Sequence, residues 1–295
     1  MAGQGGGTSS KPSDLKPRVF SAIVLAAGAI GSAIIGGWIF ALVWGALAVL
    51  VYLEWFAMAS RDAKVAPRGI HWLSIVGAVL LGCVALTLGG ALIAGWSLAR
   101  LAPGLAGLLV AYTILVWRAG LAHRRWHIGG MIYAGGLLVS VLILRLSDTH
   151  GLTAILFLFA IVWGADVGAY FTGRALGGPK LAPRISPNKT WSGFLGGIAT
   201  GVLAGMLVLG VARLNLPGGI VLVAAAIALV SVAGDLFESH MKRHFGVKDS
   251  GHLIPGHGGF MDRLDAFLFA SILALIIGVW HGGIHQAGAG LLTGW

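Results

Sequence analysis

The sequence predicts an all-α, polytopic transmembrane protein with about nine spans and a cytosolic N-terminus. Three observations lead there. Hydrophobic residues make up 57% of the 295 positions, charged residues only 10%, and mean hydropathy is +0.90. An ordinary soluble domain carries about 25% charged residues, and a soluble core of this length would leave too much apolar surface in water. The apolar runs continue for about 20 residues, the length of a bilayer-crossing helix, whereas a membrane β-barrel alternates polar and apolar over short strands. The basic residues are also segregated along the chain. Together these observations exclude a soluble globular enzyme, a disordered chain and a collagen-like repeat.

Taken in order, residues 1–16 are rich in Gly, Ser and Pro and read as a flexible cytosolic tail. The apolar run from Val19 is too long for a signal-peptide core and flows into a second run, so it reads as a retained first span. The spans fall at 19–36, 38–58, 70–92, 102–117, 129–146, 152–172, 191–212, 217–237 and 265–282. Gly89–Gly90 and 102–104 both offer breaks within 70–117. Glycines within spans allow close helix approach, as at Gly196–Gly197. The organisation is then N-terminal helices over 17–127, a catalytic transmembrane region over 128–285, and a C-terminal tail over 286–295. Loops 173–190 and 238–264 are the two longest. Most of the eleven Trp and four Tyr read as interfacial anchors. The single cysteine, Cys83, forms no intramolecular disulfide and reads as a small packing residue.

Net charge is +10, but topology explains it better than nucleic acid does. With the N-terminus inside, all but Arg100, Arg145 and Arg213 of the 20 Lys and Arg residues fall in cytosolic segments. That places both long loops on the cytosolic face, where basic groups meet headgroups and phosphates.

Five acids, Asp235, Glu238, Asp249, Asp262 and Asp265, lie between 235 and 265. Asp166 and Asp235 sit in or at the end of apolar spans, where a carboxylate costs about 2.5–3.5 kcal/mol and normally faces a cavity, a cation or a partner. A buried ion pair that locks helices is the structural alternative for both. Asp235, Ser239 and Lys242 share one helix face, and Asp262 and Asp265 share another. The two helix ends aim Asp235, Asp262 and Asp265 at a common point. Carboxylate oxygens suit Mg²⁺, which keeps waters and takes substrate phosphates into its shell. Between these helices, the Gly-rich turn at 254–259 lets backbone N–H groups approach an anion. Its His257, Gly258 and Gly259, flanked by Lys242, Arg243, Lys248 and Arg263, read as a polyphosphate cradle. In the other loop, Ser186 or Thr190 is a helix cap, while Arg184 and Lys189 at that helix N-terminus form an alternative anion site. It has no P-loop frame. The pairs His123/His127, His240/His244 and His281/His285 are each at i, i+4, but none is His-Glu-x-x-His, the first and last lie far from the acidic cluster, and they read as interfacial.

Residues 239–265, SHMKRHFGVKDSGHLIPGHGGFMDRLD, closely resemble the signature of the phosphatidate cytidylyltransferase (CDP-diacylglycerol synthase) family. Residues 234–239 (GDLFES), 163–170 (WGADVGAY) and 186–191 (SPNKTW) are similar to further family segments, and the likeness spans about 129–282. Asn188 stands where many members have Lys, and Ser192 where many have an acid. The resemblance implies an enzyme of phospholipid synthesis that converts CTP and phosphatidate into CDP-diacylglycerol and pyrophosphate. It implies Mg²⁺, with a centre that also takes a monovalent cation such as K⁺, and a homodimer among membrane lipids. It makes Asp235 and Asp262 metal-binding carboxylates and Asp265 a further one, with Lys242 beside them. Ser186, Lys189, Thr190, Ser239, Arg243, Lys248, His257, Gly258, Gly259 and Arg263 become substrate-binding candidates, with Asp166 and Asp249 as additional site candidates. The compact chain fits a bacterial inner membrane with the site facing the cytosol. A CTP-using lipid kinase and an ion-coupled transporter built on Asp166 and Asp235 are the competing readings. The transporter reading predicts a polar path across the bilayer, but the acids cluster with basic, Gly-rich loops instead.

Overall fold

The computed structural model describes residues 15–61, 70–96, 98–121, 123–215, 217–254, 258–293 and 295. The chain runs α1 (Leu15–Ile35), α2 (Gly37–Ala59), α3 (Ile70–Ile93), α4 (Leu98–Arg118), α5 (Arg124–Arg145) and α6 (Gly151–Leu176). A small hairpin follows, β1 (Lys180–Ala182) and β2 (Ser186–Thr190), then α7 (Trp191–Val211), α8 (Gly218–His244), α9 (Met261–Gly282) and α10 (Ala287–Leu292). Among the described residues, eight helices, α2 to α9, are long and apolar enough to cross a membrane. The expected first span is the shorter apolar stretch Val19–Ile35 of α1. Outward-facing side chains such as Leu203, Leu207 and Val211 on α7 are largely exposed, as lipid-facing residues are in a bundle without its bilayer.

The chain reverses between α1 and α2 at Gly36, whose φ of +69° suits glycine. Arg145 of α5 closes this turn: its Nε donates to Ala33 O at 2.6 Å. A Cβ on Gly36 would meet the guanidinium at 2.3 Å. The division of 70–117 falls between α3 and α4, after Gly89–Gly90 and before Pro103. Gly89 and Gly90 do not break α3. They admit Ala41 and Trp38 of α2, each 2.9 Å from where a Cβ would stand.

The core is aromatic where α2, α6 and α9 meet. Trp44 lies 5.3 Å from Phe267 and 6.1 Å from Phe159, ring centre to ring centre. Trp44, Trp55, Tyr52 and Tyr112 are fully buried, so these four are core residues and not interfacial anchors. Tyr52 and Tyr112 satisfy each other's hydroxyls at 2.8 Å. Cys83, expected to pack inside, is exposed.

The tightest helix pair is α6 with α7. Gly193, Gly197, Gly201 and Gly205 recur every fourth residue on one buried face of α7. A Cβ on Gly193, Gly197 or Gly201 would stand 2.8 Å from Ala169 O, Ala165 O or Ile161 O of α6. Thr200 Oγ1 reaches across to Gly164 O at 3.0 Å. This seam holds the C-terminal end of α6, the hairpin and the start of α7 together. The segment 286–295, expected as a tail, contains α10, whose Gly290 packs on Gly278 and Gly282 of α9.

Replacing Gly201 with Leu should lower the thermal midpoint of the detergent-solubilised protein, by an overpacking cost of about 1–3 kcal/mol or more. Gly210→Leu is the control, because a Cβ there meets nothing within 4 Å. Equal midpoints for the two variants would contradict the seam.

Candidate active site

The site grows from the C-terminal half of α8. Its apolar first half ends at Gly234, which has no room for a Cβ because Asp265 O and Phe269 Cβ would lie 2.6 and 2.9 Å away. The next turns place Asp235, Glu238, Ser239 and Lys242 in successive contact range. Lys242 Nζ bridges Glu238 Oε2 and Asp262 Oδ1, both at 2.7 Å. The three side chains are 14%, 1% and 7% exposed, so one ammonium serves two buried carboxylates. Asp235 is more open and pairs with Lys189 of β2. Ser239 Oγ lies 3.4 Å from its other oxygen.

The loop from α8 to α9 folds around carboxylates. Asp262 Oδ2 accepts from Gly259 N at 2.8 Å, Ser250 Oγ at 3.0 Å and Ser250 N at 3.1 Å. Glu54, on α2, accepts from Phe260 N at 3.0 Å and Met261 N at 2.8 Å, and the Ser250 hydroxyl, with one proton between the two carboxylates, stands 3.1 Å from it. The sequence assigned the Gly-rich turn to an incoming anion. Of that turn, residues 255–257 lie outside the described residues, and Gly259 gives its N–H to Asp262; beside the turn, Ser250 N also goes to Asp262, and Phe260 N and Met261 N go to Glu54. A Cβ on Gly258, at φ +81°, would strike Asp262 at 2.6 Å, and one on Gly259 would strike Glu54 at 2.4 Å.

Two cavities flank this cluster. One, of about 670 Å³, lies among α6, the hairpin, α7 and α8 and is lined by Lys180, Lys189, Arg174, Asn188 and Asp235. The other, of about 480 Å³, lies among α1, α2, α6 and α9. Its walls are apolar, including Leu25, Trp44, Phe159 and Trp163, and Asp262, Arg263 and Asp265 line its polar part. Asp166 lines both cavities. Asp166, Asp235 and Asp265 are close enough to act on one another electrostatically, with Lys189 and Arg263 near Asp166.

The structure thus brings Asp166, Asp235, Asp262, Asp265, Lys189, Lys242 and Arg263 together. Thr190 lines the larger cavity, but its hydroxyl caps α7 by accepting from Gly193 N at 3.1 Å. Ser186 pairs with Ala182 in the hairpin. Arg243, Lys248 and Asp249 are exposed and line neither cavity. His257 lies outside the described residues, as does the tail up to residue 14. Sequence reasoning gave no role to Glu54 or Glu238. Glu54 carried a usable signal, as an acid inside the apolar run 38–58.

Among the described residues, no three His, Cys, Asp or Glu side chains form a ready metal cage. The donors nonetheless suit a hard cation that keeps most of its own waters. Asp235 and Asp262 each already direct an oxygen at a cation, the ammonium groups of Lys189 and Lys242.

Fold and site define a polytopic membrane protein with a carboxylate-rich polar site set between an apolar cavity and a basic one. The Cytidylyltransferase family model matches residues 16–280, and the chain belongs to that family of CTP-utilising nucleotidyltransferases. It is 41% identical over 268 residues to a phosphatidate cytidylyltransferase of Brucella suis, covering 90% of this chain and 94% of the relative. The Pseudomonas aeruginosa protein of the same name is 36% identical over 284 residues, covering 91% and 98%. That of Bacillus subtilis is 42% identical over 164 residues, covering 55% and 61%.

Lys242→Met should destabilise the folded protein by about 3–5 kcal/mol, because it leaves two buried carboxylates without their cation. Lys242→Arg should recover part of that loss. Thermal unfolding in detergent checks both, and a wild-type midpoint for Lys242→Met would contradict the shared ion pair.

Proposed function

We propose that this chain is a phosphatidate cytidylyltransferase, forming CDP-diacylglycerol and pyrophosphate from CTP and phosphatidate. The observation that carries this reading is the pair of unlike cavities with Asp166 on both. The apolar one, walled by α1, α2, α6 and α9, suits the diacylglycerol part of a lipid. Arg263 and the site carboxylates line its polar part. The basic one suits a nucleoside triphosphate, with Lys180, Arg174 and Lys189 for its phosphates.

A phosphate monoester is already largely dianionic at neutral pH, its second pKa being about 6. Its oxygen attacks the α-phosphorus of CTP without a strong general base. The new P–O bond forms as the bond to the β-phosphate breaks, and pyrophosphate leaves with the electron pair. The protein's task is to position two anions and offset their repulsion. Lys189 and Arg263 serve that purpose from the two cavities. Lys242 offsets part of the charge of Glu238 and Asp262, which lessens the repulsion that both substrates meet. Mg²⁺, held by Asp235 and Asp262 with Asp265 beside them, would supply positive charge at the α-phosphoryl group and the departing pyrophosphate.

The Lys and Arg bias supports a cytosolic N-terminus and a cytosol-facing site, and the bacterial relatives support an inner-membrane location. A homodimer, and a monovalent cation such as K⁺, rest on the family resemblance.

Purified protein with phosphatidate, Mg²⁺ and CTP labelled at the α-phosphate should move label into the lipid phase and release pyrophosphate, and EDTA should stop both. Label entering lipid only from the γ-phosphate, with CDP released, would show a kinase instead. No lipid labelling by folded protein, with ion flux in proteoliposomes lacking CTP, would favour a transporter. Asp235→Asn and Asp262→Asn should each lower turnover by at least about 10²-fold while the protein stays folded and inserted. Near-normal turnover in either would break its metal assignment.

A further inference from the structure

The N-cap residue of α9 is Phe260, which has no side-chain oxygen and makes no capping bond of its own. A helix start buried without a cap leaves N–H groups unsatisfied. The missing acceptor comes from α2. Glu54 Oε1 accepts from Phe260 N at 3.0 Å, and Oε2 accepts from Met261 N at 2.8 Å. Glu54 is only 5% exposed, and its negative charge sits where the α9 dipole is positive.

Glu54 also reaches the next carboxylate. Ser250 Oγ stands 3.1 Å from Glu54 Oε2 and 3.0 Å from Asp262 Oδ2. Three of the donors on Asp262, namely Ser250 N, Ser250 Oγ and Gly259 N, belong to the loop that Glu54 pins. The space is tailored to this carboxylate. A Cβ on Gly251 or Gly259 would lie 2.6 or 2.4 Å from Glu54 oxygens. Glu54 itself lines neither cavity.

We infer that Glu54 is a positioning residue: it caps α9 from another helix and, through Ser250, sets the direction of Asp262. The helix start and the site carboxylate are then held by one group about 200 residues away in sequence. The consequence for turnover rests on the cytidylyltransferase reading, whereas the cap does not.

The test uses the full chain in detergent with lipid, as wild type and as Glu54→Ala, Glu54→Gln and Ser250→Ala. Amide hydrogen exchange over 250–261 reads the cap without any substrate. In Glu54→Ala, exchange at Phe260 and Met261 should rise about tenfold or more. Its kcat should fall about 10²-fold, the scale of a 1 Å misplacement, with KM for CTP and phosphatidate within about threefold of wild type. Glu54→Gln keeps one acceptor oxygen and should fall between wild type and Ala in both readouts. Ser250→Ala should leave exchange at Phe260 and Met261 as in wild type yet lower kcat about fivefold, because the hydroxyl between Glu54 and Asp262 is lost while both cap bonds to Glu54 remain. Wild-type protection in Glu54→Ala would overturn the cap. Unchanged kcat in Ser250→Ala, or a loss in Glu54→Gln carried by KM alone, would overturn the positioning role. If Glu54→Ala does not fold, Glu54→Gln and Ser250→Ala decide. A wild-type protein without cytidylyl transfer would sink the function reading, and the exchange data would still judge the cap.

Discussion

A carboxylate inside an apolar bundle must be met by donors or cations, and this chain sets several of them together where α2, α8 and α9 join. Glu238 and Asp262 share the Lys242 ammonium, while Glu54 and Asp262 share the Ser250 hydroxyl. No one helix supplies all the partners. The α8–α9 loop is therefore shaped by charge satisfaction as much as by packing, since a lost partner would leave an uncompensated group in a medium of low polarity. The same requirement ties the N-terminal helices to the rest of the bundle. Glu54 is the point where α2 enters the polar cluster, and Trp44, nearly three turns earlier on that helix, anchors the aromatic core.

The second half of the site depends on the glycine seam of α6 and α7. Contact between backbones at Gly193, Gly197 and Gly201 fixes where the hairpin ends and hence where Lys189 points. Lys189 then pairs with Asp235 on α8, and both line the larger cavity. Asp166 is carried on the same seam, on α6, and faces both cavities. Close helix packing and electrostatics thus act in series. Small residues set the distance, and the distance lets a cation from a surface hairpin reach an acid at the end of a membrane helix.

Glycine does two different jobs in this molecule. On α7 it removes side chains so that another backbone can approach. At Gly258 and Gly259 it makes room for carboxylates that belong to the protein. Gly259 also gives its N–H to Asp262, so this end of the Gly-rich turn holds a site carboxylate.

Much of this was legible in the chain itself. Apolar runs of bilayer length predict helices because unsatisfied backbone groups are intolerable in lipid, and the helices lie close to where the runs are. Asp235, Ser239 and Lys242 on one face, and Asp262 with Asp265 on another, follow from helical periodicity alone. The motifs at 163–170, 186–191 and 234–265 pointed to the family. What the sequence could not determine is which groups meet across elements. The Lys189–Asp235 pair, the sharing of Lys242, the cap that Glu54 supplies to α9 and the two cavities joined at Asp166 all depend on how helices distant in sequence pack. Periodicity assigns each residue a face on its own helix, but only tertiary packing decides which charges on other helices that face will meet.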